Sequence, residues 1–111
     1  MSEPPLVQEI RQGAMWIRLN RPEAMNSLTP QLLAGLSAAL DEAQARDEVK
    51  AIVLTGEGRA FCAGADLGSG GKTFDGGAQG SSHTIETHRD EGGLVSLKIF
   101  SLKKPVIGAI N

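Results

Sequence analysis

The residues that could carry out chemistry are concentrated in one segment, Gly58 to Thr73, which reads G-R-A-F-C-A-G-A-D-L-G-S-G-G-K-T. The end of this segment, G-G-K-T, has the letters that close a phosphate-binding loop, and such a loop would indicate a nucleotide-binding protein. The centre, C-A-G-A-D-L, is a glycine turn among small residues, and its backbone N–H groups could polarise a substrate oxygen. The two halves therefore predict different classes of protein.

The context of G-G-K-T argues against nucleotide binding. A phosphate-binding loop has another glycine five residues before its G-K-[ST] glycine, follows a strand directly and opens a helix. Counting back from Gly71, that position is Asp66, a carboxylate where the backbone would have to approach phosphate. The nearest predicted strand ends at Thr55, and the residues after Thr73 are rich in glycine, which costs about 1 kcal/mol per interior helix position. We therefore interpret Lys72 as a solvated loop residue.

The glycine turn is a better candidate, as an oxyanion site. Ala63, Gly64 and Ala65 carry no bulky side chain, so a substrate could lie directly against the backbone. Gly64 permits a conformation that turns successive N–H groups to one side. Such donors stabilise developing negative charge, and the loss of one typically costs about 10²–10³ in rate. The neighbouring Cys62 is interpreted as a packing residue, since no base lies near it in the sequence.

Composition excludes several classes of function. The 111 residues carry a net charge of −2, from 11 basic and 13 acidic residues without a long like-charged run. This balance does not indicate binding to nucleic acid or to an anionic membrane. The apolar runs are far shorter than the roughly twenty residues that span a bilayer, and the start M-S-E-P-P does not resemble a secretory signal. A single cysteine excludes an internal disulfide and favours a cytoplasmic location.

Glycine is the one residue type in excess. Nine of the 14 glycines lie between Gly56 and Gly80, which predicts one long functional loop. The Gly68–Gly80 part lacks apolar anchors, so we expect it to be mobile without ligand and to become ordered when a ligand binds. His83 and His88, farther along, are interpreted as loop residues, because their spacing does not place them on one helical face as a metal pair; no metal site is predicted.

The elements that would position the turn have the pattern of an α/β domain. Leu6–Ile10 and Met15–Leu19 predict a β-hairpin around Gln12-Gly13. Thr29 and Pro30 predict the N-cap and first residue of a helix that runs to about Arg46. The remaining predicted elements are a buried parallel strand at Ala51–Thr55, a helix over Gly93–Leu102 and a second buried strand at Val106–Ile110. This order indicates parallel crossovers. Because no helix follows the last strand to cover it, we expect residues 1–111 to be part of one domain and not an independently stable, active monomer.

Three separated motifs resemble the enoyl-CoA hydratase/isomerase (crotonase) family along nearly the whole chain. They are N-R-P-E-A-M-N-S-L at Asn20–Leu28, A-I-V-L-T-G-E-G-R-A-F-C-A-G-A-D-L at Ala51–Leu67, and K-P-V-I-G-A-I-N at Lys104–Asn111. The resemblance implies the N-terminal part of a spiral of ββα units that binds acyl thioesters of coenzyme A. It implies enoyl-CoA hydratase first; the alternatives are an isomerase, a hydrolase, a decarboxylase or a non-catalytic coenzyme A-binding relative. It also implies a homo-oligomer, a trimer or hexamer.

The same resemblance assigns roles to single residues. Ala65 is similar in position to the first oxyanion donor, which uses its backbone N–H. Ala63, Gly64, Asp66 and Leu67 resemble the segment that lines the coenzyme A pocket, and Ala24 and Met25 resemble backbone positions facing the coenzyme A arm. The family's second oxyanion glycine would come directly after Asn111, so the sequence supplies no second donor and no acid/base glutamate. No cofactor is implied, because coenzyme A is part of the substrate. The glycine-rich Gly68–Gly80 departs from the family pattern and leaves acyl specificity open.

Overall fold

The chain forms a four-stranded sheet with two helices in the computed structural model, which describes residues 4–65 and 91–111. The strands are β1 (Leu6–Arg11), β2 (Ala14–Leu19), β3 (Ala51–Gly56) and β4 (Val106–Ala109), and the helices are α1 (Pro30–Ala45) and α2 (Glu91–Ser101). A short 3-10 helix, Pro22–Ala24, follows β2. The predicted order of elements is confirmed, with boundaries that differ by one or two residues.

The sheet has the order β1-β2-β3-β4, so each strand lies beside its neighbour in sequence. β1 and β2 are antiparallel, whereas β2–β3 and β3–β4 are parallel, as predicted. The hairpin turn has positive φ at both central residues, 51° at Gln12 and 82° at Gly13. Two successive left-handed residues match the right-handed twist of the strands, so this turn sets the register of the hairpin.

Helix α1 begins as its sequence predicts and packs over the sheet. The Thr29 hydroxyl accepts a hydrogen bond from the Leu32 N–H at 3.1 Å, and Pro30 occupies the first turn. The buried core between this helix, α2 and one face of the sheet consists of Met15, Ile17, Leu36, Ala39, Leu40, Ala43, Val49, Ile52 and Val95. At the other end of α1, the Lys104 ammonium donates to the Ala43 and Arg46 carbonyls, each at 2.7 Å. A cation at this point satisfies carbonyls that have no partner within the helix.

The prediction of fully buried strands at β3 and β4 was wrong. In β3 only Ile52 and Gly56 are buried. Ile107 in β4 is half-exposed and Ile110 just after it is 76% exposed. The physical reason is that the described helices cover only one face of the sheet, so side chains on the other face keep access to solvent. Phe100 on α2 is a further exposed apolar side chain, at 88%.

Neither helix in residues 4–65 and 91–111 is long and apolar enough to cross a membrane.

Candidate functional site

Two chain segments from different parts of the sequence meet beyond the ends of β2 and β3. The first is the loop at residues 20–28, and the second is the segment at residues 61–65. The Leu28 N–H donates to the Gly64 carbonyl at 2.7 Å, and the Ala63 N–H donates to the Met25 carbonyl at 3.0 Å. Leu28 and Ala65 form an isolated parallel bridge. The candidate coenzyme A positions and the candidate oxyanion turn therefore lie side by side.

The parallel bridge determines where the Ala65 amide points. Leu28 bonds to the residue before Ala65, so the N–H and C=O of Ala65 itself face away from Leu28. Within the described ranges, the Ala65 N–H donates to no backbone carbonyl. Ala63 and Ala65 are exposed, and Gly64 between them has a φ of 109°, which a residue with a side chain rarely adopts. The Ala65 N–H therefore points away from Leu28 on an exposed residue that follows the small residues Ala63 and Gly64.

The loop after β2 is bent by consecutive left-handed residues. Met25 and Asn26 both have a φ of 56°, directly after the 3-10 helix in which Pro22 is the first residue. Residues with side chains seldom adopt this conformation, although asparagine does so more readily than most. The bend directs the Met25 carbonyl to Ala63 and directs the Asn26 side chain into the protein. Ala24 and Met25 are half-buried beside the glycine turn.

Asn26 is completely buried, with 0% exposure, and all its polar atoms are paired. Its Oδ1 accepts from the Arg21 N–H at 2.7 Å. Its Nδ2 donates to the Glu57 carbonyl at 3.0 Å and to the Ala60 carbonyl at 2.8 Å. Each buried partner left alone would cost about 1–3 kcal/mol, so these bonds hold the loop and the turn at residues 56–60 together.

A second asparagine binds the same turn from the end of the sheet. The Asn111 Nδ2 donates to the Gly56 carbonyl at 2.9 Å and also to the Gly58 carbonyl. Gly56 must be glycine, because a Cβ there would lie 2.5 Å from the Phe61 carbonyl oxygen and 2.7 Å from that of Ala60. Gly56, at the start of this turn, is thus closely packed, whereas residues 57–59 are exposed and their shape depends on hydrogen bonds.

The described part of this region offers backbone amides and carbonyls rather than a titrating side chain in a special environment. Arg18 and Glu57 form an exposed ion pair at 3.1 Å at the rim. A shifted pKa occurs elsewhere, just after the end of α1. The pKa of Glu48 lies below its ordinary value because Arg46 donates a hydrogen bond to its carboxylate. The described residues contain no group of three His, Cys, Asp or Glu that could hold a metal ion. The Ala63 N–H is already bonded to the Met25 carbonyl, so the geometry suits polarisation of a carbonyl oxygen by one backbone N–H, that of Ala65.

The structure brings together five of the residues singled out in the sequence: Ala24, Met25, Ala63, Gly64 and Ala65. Asp66 and Leu67 lie outside the described residues, as do the glycine-rich Gly68–Gly80, the G-G-K-T letters, His83 and His88. Cys62, interpreted as a packing residue, is half-buried.

Sequence reasoning missed Asn26 and Asn111. Each stands inside a motif quoted above, but its partners are distant in sequence. The residue type alone could have indicated the role of Asn26, because asparagine both tolerates a left-handed backbone and supplies a donor and an acceptor.

Comparison with known proteins shows which family of proteins this chain resembles in sequence. Residues 9–111 match the family model described as enoyl-CoA hydratase/isomerase. A protein of Rhodobacter capsulatus named "Probable enoyl-CoA hydratase" is 44% identical over 112 residues, which cover 100% of this chain and 40% of that protein. The 1,2-epoxyphenylacetyl-CoA isomerase of Escherichia coli is 35% identical over 106 residues, covering 96% of this chain and 39% of the relative.

Among solved structures, an enoyl-CoA hydratase from Mycobacterium avium subsp. paratuberculosis superposes with a TM-score of 0.74 at 25% identity, covering 99% of this chain and 40% of the other. The chain thus spans about 40% of the length of the relatives that it matches.

Proposed function

The chain belongs to the enoyl-CoA hydratase/isomerase family, and on that premise we propose that it forms part of an enzyme that processes acyl thioesters of coenzyme A. The crotonase-like α/β fold expected from the sequence is confirmed by the similarity to solved members. The proposed reaction is hydration of a 2-enoyl-CoA. In it, the backbone stabilises the negative charge that develops on the thioester oxygen when water adds across the double bond.

The observation that carries the proposal is the Ala65 amide. Its N–H faces away from Leu28, belongs to an exposed residue directly after Ala63 and Gly64, and donates to no backbone carbonyl of the described chain. A thioester oxygen placed there would accept a hydrogen bond without displacing an internal one. Because the donor is held by a strand-like bridge, it needs little reorganisation during the reaction, which is the condition under which such donors are most effective.

The remaining site residues have supporting roles in this proposal. Ala63 and Gly64 would leave room for the pantetheine arm, and Ala24 and Met25 would form the opposite wall. Asp66 and Leu67 stay predicted lining residues. The substrate brings coenzyme A with it, so the proposed reaction uses no separate cofactor. A homo-oligomer is also proposed, and the exposed apolar side chains of Phe100 and Ile110 are compatible with subunit contacts.

An isomerase is the second candidate, because one of the relatives is named 1,2-epoxyphenylacetyl-CoA isomerase. Hydration and double-bond migration both place negative charge on the thioester oxygen, so the Ala65 amide would serve either. They differ in the product. Hydration removes the conjugated double bond and adds water, whereas isomerisation moves a double bond without a change in mass.

Mass analysis of the products therefore separates the two. The complete protein is incubated with a 2-enoyl-CoA and, separately, with a 3-enoyl-CoA. A gain of one water from the 2-enoyl substrate supports the hydratase. Conversion of the 3-enoyl substrate to the 2-enoyl isomer at unchanged mass, without hydration, would replace hydratase by isomerase. No binding and no turnover of either thioester would contradict the proposal.

Substitution of Ala65 tests the oxyanion role directly. Ala65→Pro removes the N–H and should lower kcat by about 10² or more. Ala65→Ser keeps the N–H and is the matched control, expected to retain most of the activity. A folded Ala65→Pro protein with undiminished kcat would show that another group polarises the thioester.

A further inference from the structure

Asn26 and the residue before it each attach one point of the chain that leads to Ala65. The Asn26 side-chain amide binds the Ala60 carbonyl, and the carbonyl of the preceding residue, Met25, accepts the Ala63 N–H. These attachments lie before and within the short segment that ends at Ala65. Since Asn26 is completely buried and every polar atom of its side chain is paired, it has no freedom to change rotamer without losing hydrogen bonds.

Asn111 binds the same turn at two other carbonyls. Both hydrogens of its amide are used on carbonyls of the turn, those of Gly56 and Gly58. Asn26 likewise uses both of its amide hydrogens on the turn, on the carbonyls of Glu57 and Ala60. Two amide groups therefore bind four carbonyls within residues 56–60. Backbone carbonyls need hydrogen-bond donors, and these two side chains supply them for four carbonyls of the turn, so we expect the shape of the turn to depend on both.

From this arrangement we propose that Asn26 and Asn111 are positioning residues that together fix the location of the Ala65 N–H. We call the pair the asparagine clamp. The inference rests on the oxyanion role proposed above and goes beyond it, because neither asparagine need touch the substrate. The clamp acts through the turn: it holds residues 56–60, and residues 61–65 extend directly from them.

Rigidity at this point matters for rate rather than for binding alone. A coenzyme A thioester would make most of its contacts elsewhere, so a small shift of one N–H should change the ground-state affinity little. The same shift would weaken a hydrogen bond that strengthens as charge develops on the oxygen. A misplacement of about 1 Å can cost about 10² in rate. The expected signature of a broken clamp is thus a lower kcat with a nearly unchanged KM.

The test compares Asn111→Asp and Asn26→Asp with a control in the complete protein. Each aspartate has nearly the shape of asparagine but presents acceptors to the turn carbonyls instead of donors. Thr55→Val is the matched control: it removes a side-chain hydrogen bond of similar length, 2.8 Å to the Ala109 carbonyl, at the same end of the sheet. That bond does not involve the turn.

We expect kcat to fall at least tenfold in Asn111→Asp and in Asn26→Asp, with KM within about twofold of wild type, and to change less than twofold in Thr55→Val. Should the buried Asn26→Asp not fold, the exposed Asn111→Asp decides the question alone. A kcat within twofold of wild type in a folded Asn111→Asp protein would overturn the proposal. A fall of kcat in Thr55→Val as large as that in Asn111→Asp would also overturn the proposal, because it would indicate a general effect on stability.

A second readout does not depend on turnover. The backbone ¹⁵N–¹H resonance of Ala65 should shift in Asn111→Asp and stay in place in Thr55→Val. An unmoved resonance in Asn111→Asp would overturn the clamp even if the enzyme is active. Conversely, a shifted Ala65 resonance in a protein whose wild type neither binds nor converts acyl-CoA would support the clamp and refute the proposed function, so the two failures are distinguishable.

Discussion

Replacement of Gly56 by alanine should destabilise the protein by about 2 kcal/mol. The new Cβ would lie 2.5 Å from the Phe61 carbonyl oxygen, 2.7 Å from that of Ala60 and 2.8 Å from the Asn26 Nδ2. Two of these neighbours are backbone atoms that cannot rotate away, so the segment after Gly56 must move. That movement lengthens the bond between Asn26 and the Ala60 carbonyl, which is 2.8 Å long in the native turn.

The magnitude follows from three contributions. Inserting a methyl group into a filled space costs about 1–3 kcal/mol. The weakened hydrogen bond costs about 0.5–1.5 kcal/mol. Alanine restricts the unfolded chain more than glycine does, and this lower entropy favours the folded state by about 0.4–1 kcal/mol. The steric and hydrogen-bond costs exceed the gain, so the net effect is a loss of stability.

Gly35→Ala is the matched control, because it introduces the same methyl group in the interior of α1, where a Cβ would meet nothing within 4 Å. It should stabilise the protein by about 0.5–1 kcal/mol through helix propensity. Urea denaturation followed by circular dichroism measures the change in the free energy of unfolding for each variant. The comparison requires that this free energy falls with urea concentration at the same rate in the variants and in the wild type. If Gly56→Ala is as stable as wild type, Gly56 is not packed against Ala60, Phe61 and Asn26 as the structure shows, and the asparagine clamp loses its steric basis.

Three further predictions concern the ends of α1. Thr29→Ala should lower the free energy of unfolding by about 1 kcal/mol through loss of the N-cap, and Thr29→Ser should restore it; equal stability of the two in urea would contradict the cap. Lys104→Met should cost about 1 kcal/mol by releasing the carbonyls of Ala43 and Arg46, whereas Lys104→Arg keeps the charge; no difference between them would refute the electrostatic part. The pKa of Glu48 is depressed from its usual 4.5, so its contribution is present above that value and is lost as the pH falls through the folded-state pKa. Arg46→Gln should raise this pKa toward 4.5, measured by NMR titration of the Glu48 carboxyl; an unchanged titration would exclude the pair as the cause.

Local patterns in the sequence predicted the elements well. The hairpin depends on Gln12-Gly13 and on alternation in the flanking strands, and α1 depends on the cap at Thr29. All of these features involve residues close in sequence, which is why they can be deduced from it. Helix α2 begins at Glu91, two residues before its predicted start at Gly93. Helix α2 packs against α1, and tertiary packing of this kind can outweigh the low helix propensity of Gly92 and Gly93.

The candidate site was predicted only in part, because its supports are non-local. The positions of Ala63, Gly64 and Ala65 followed from their small side chains and from the family resemblance. The hydrogen bonds from Asn26 to the turn join residues 31 and 34 apart in sequence, and those from Asn111 span 55 and 53. No periodicity or local propensity encodes such pairs. The apolar run of β4 predicted burial on both faces, but burial depends on which elements cover a strand, and a local pattern does not encode that.

The buried amide of Asn26 limits which amino acids position 26 can accept. The position requires one acceptor, two donors, a short stem and tolerance of left-handed backbone, and no other amino acid combines all four. Aspartate lacks the donors, glutamine is one methylene longer, and serine is too small to reach both carbonyls. Glu23, three residues earlier in the same loop, is exposed, and its position imposes none of these four requirements. In a library that randomises both positions under selection for activity, Glu23 should become diverse while asparagine alone survives at position 26. Redesign of this loop for a different substrate therefore has many routes, and every one of them must keep that single side chain.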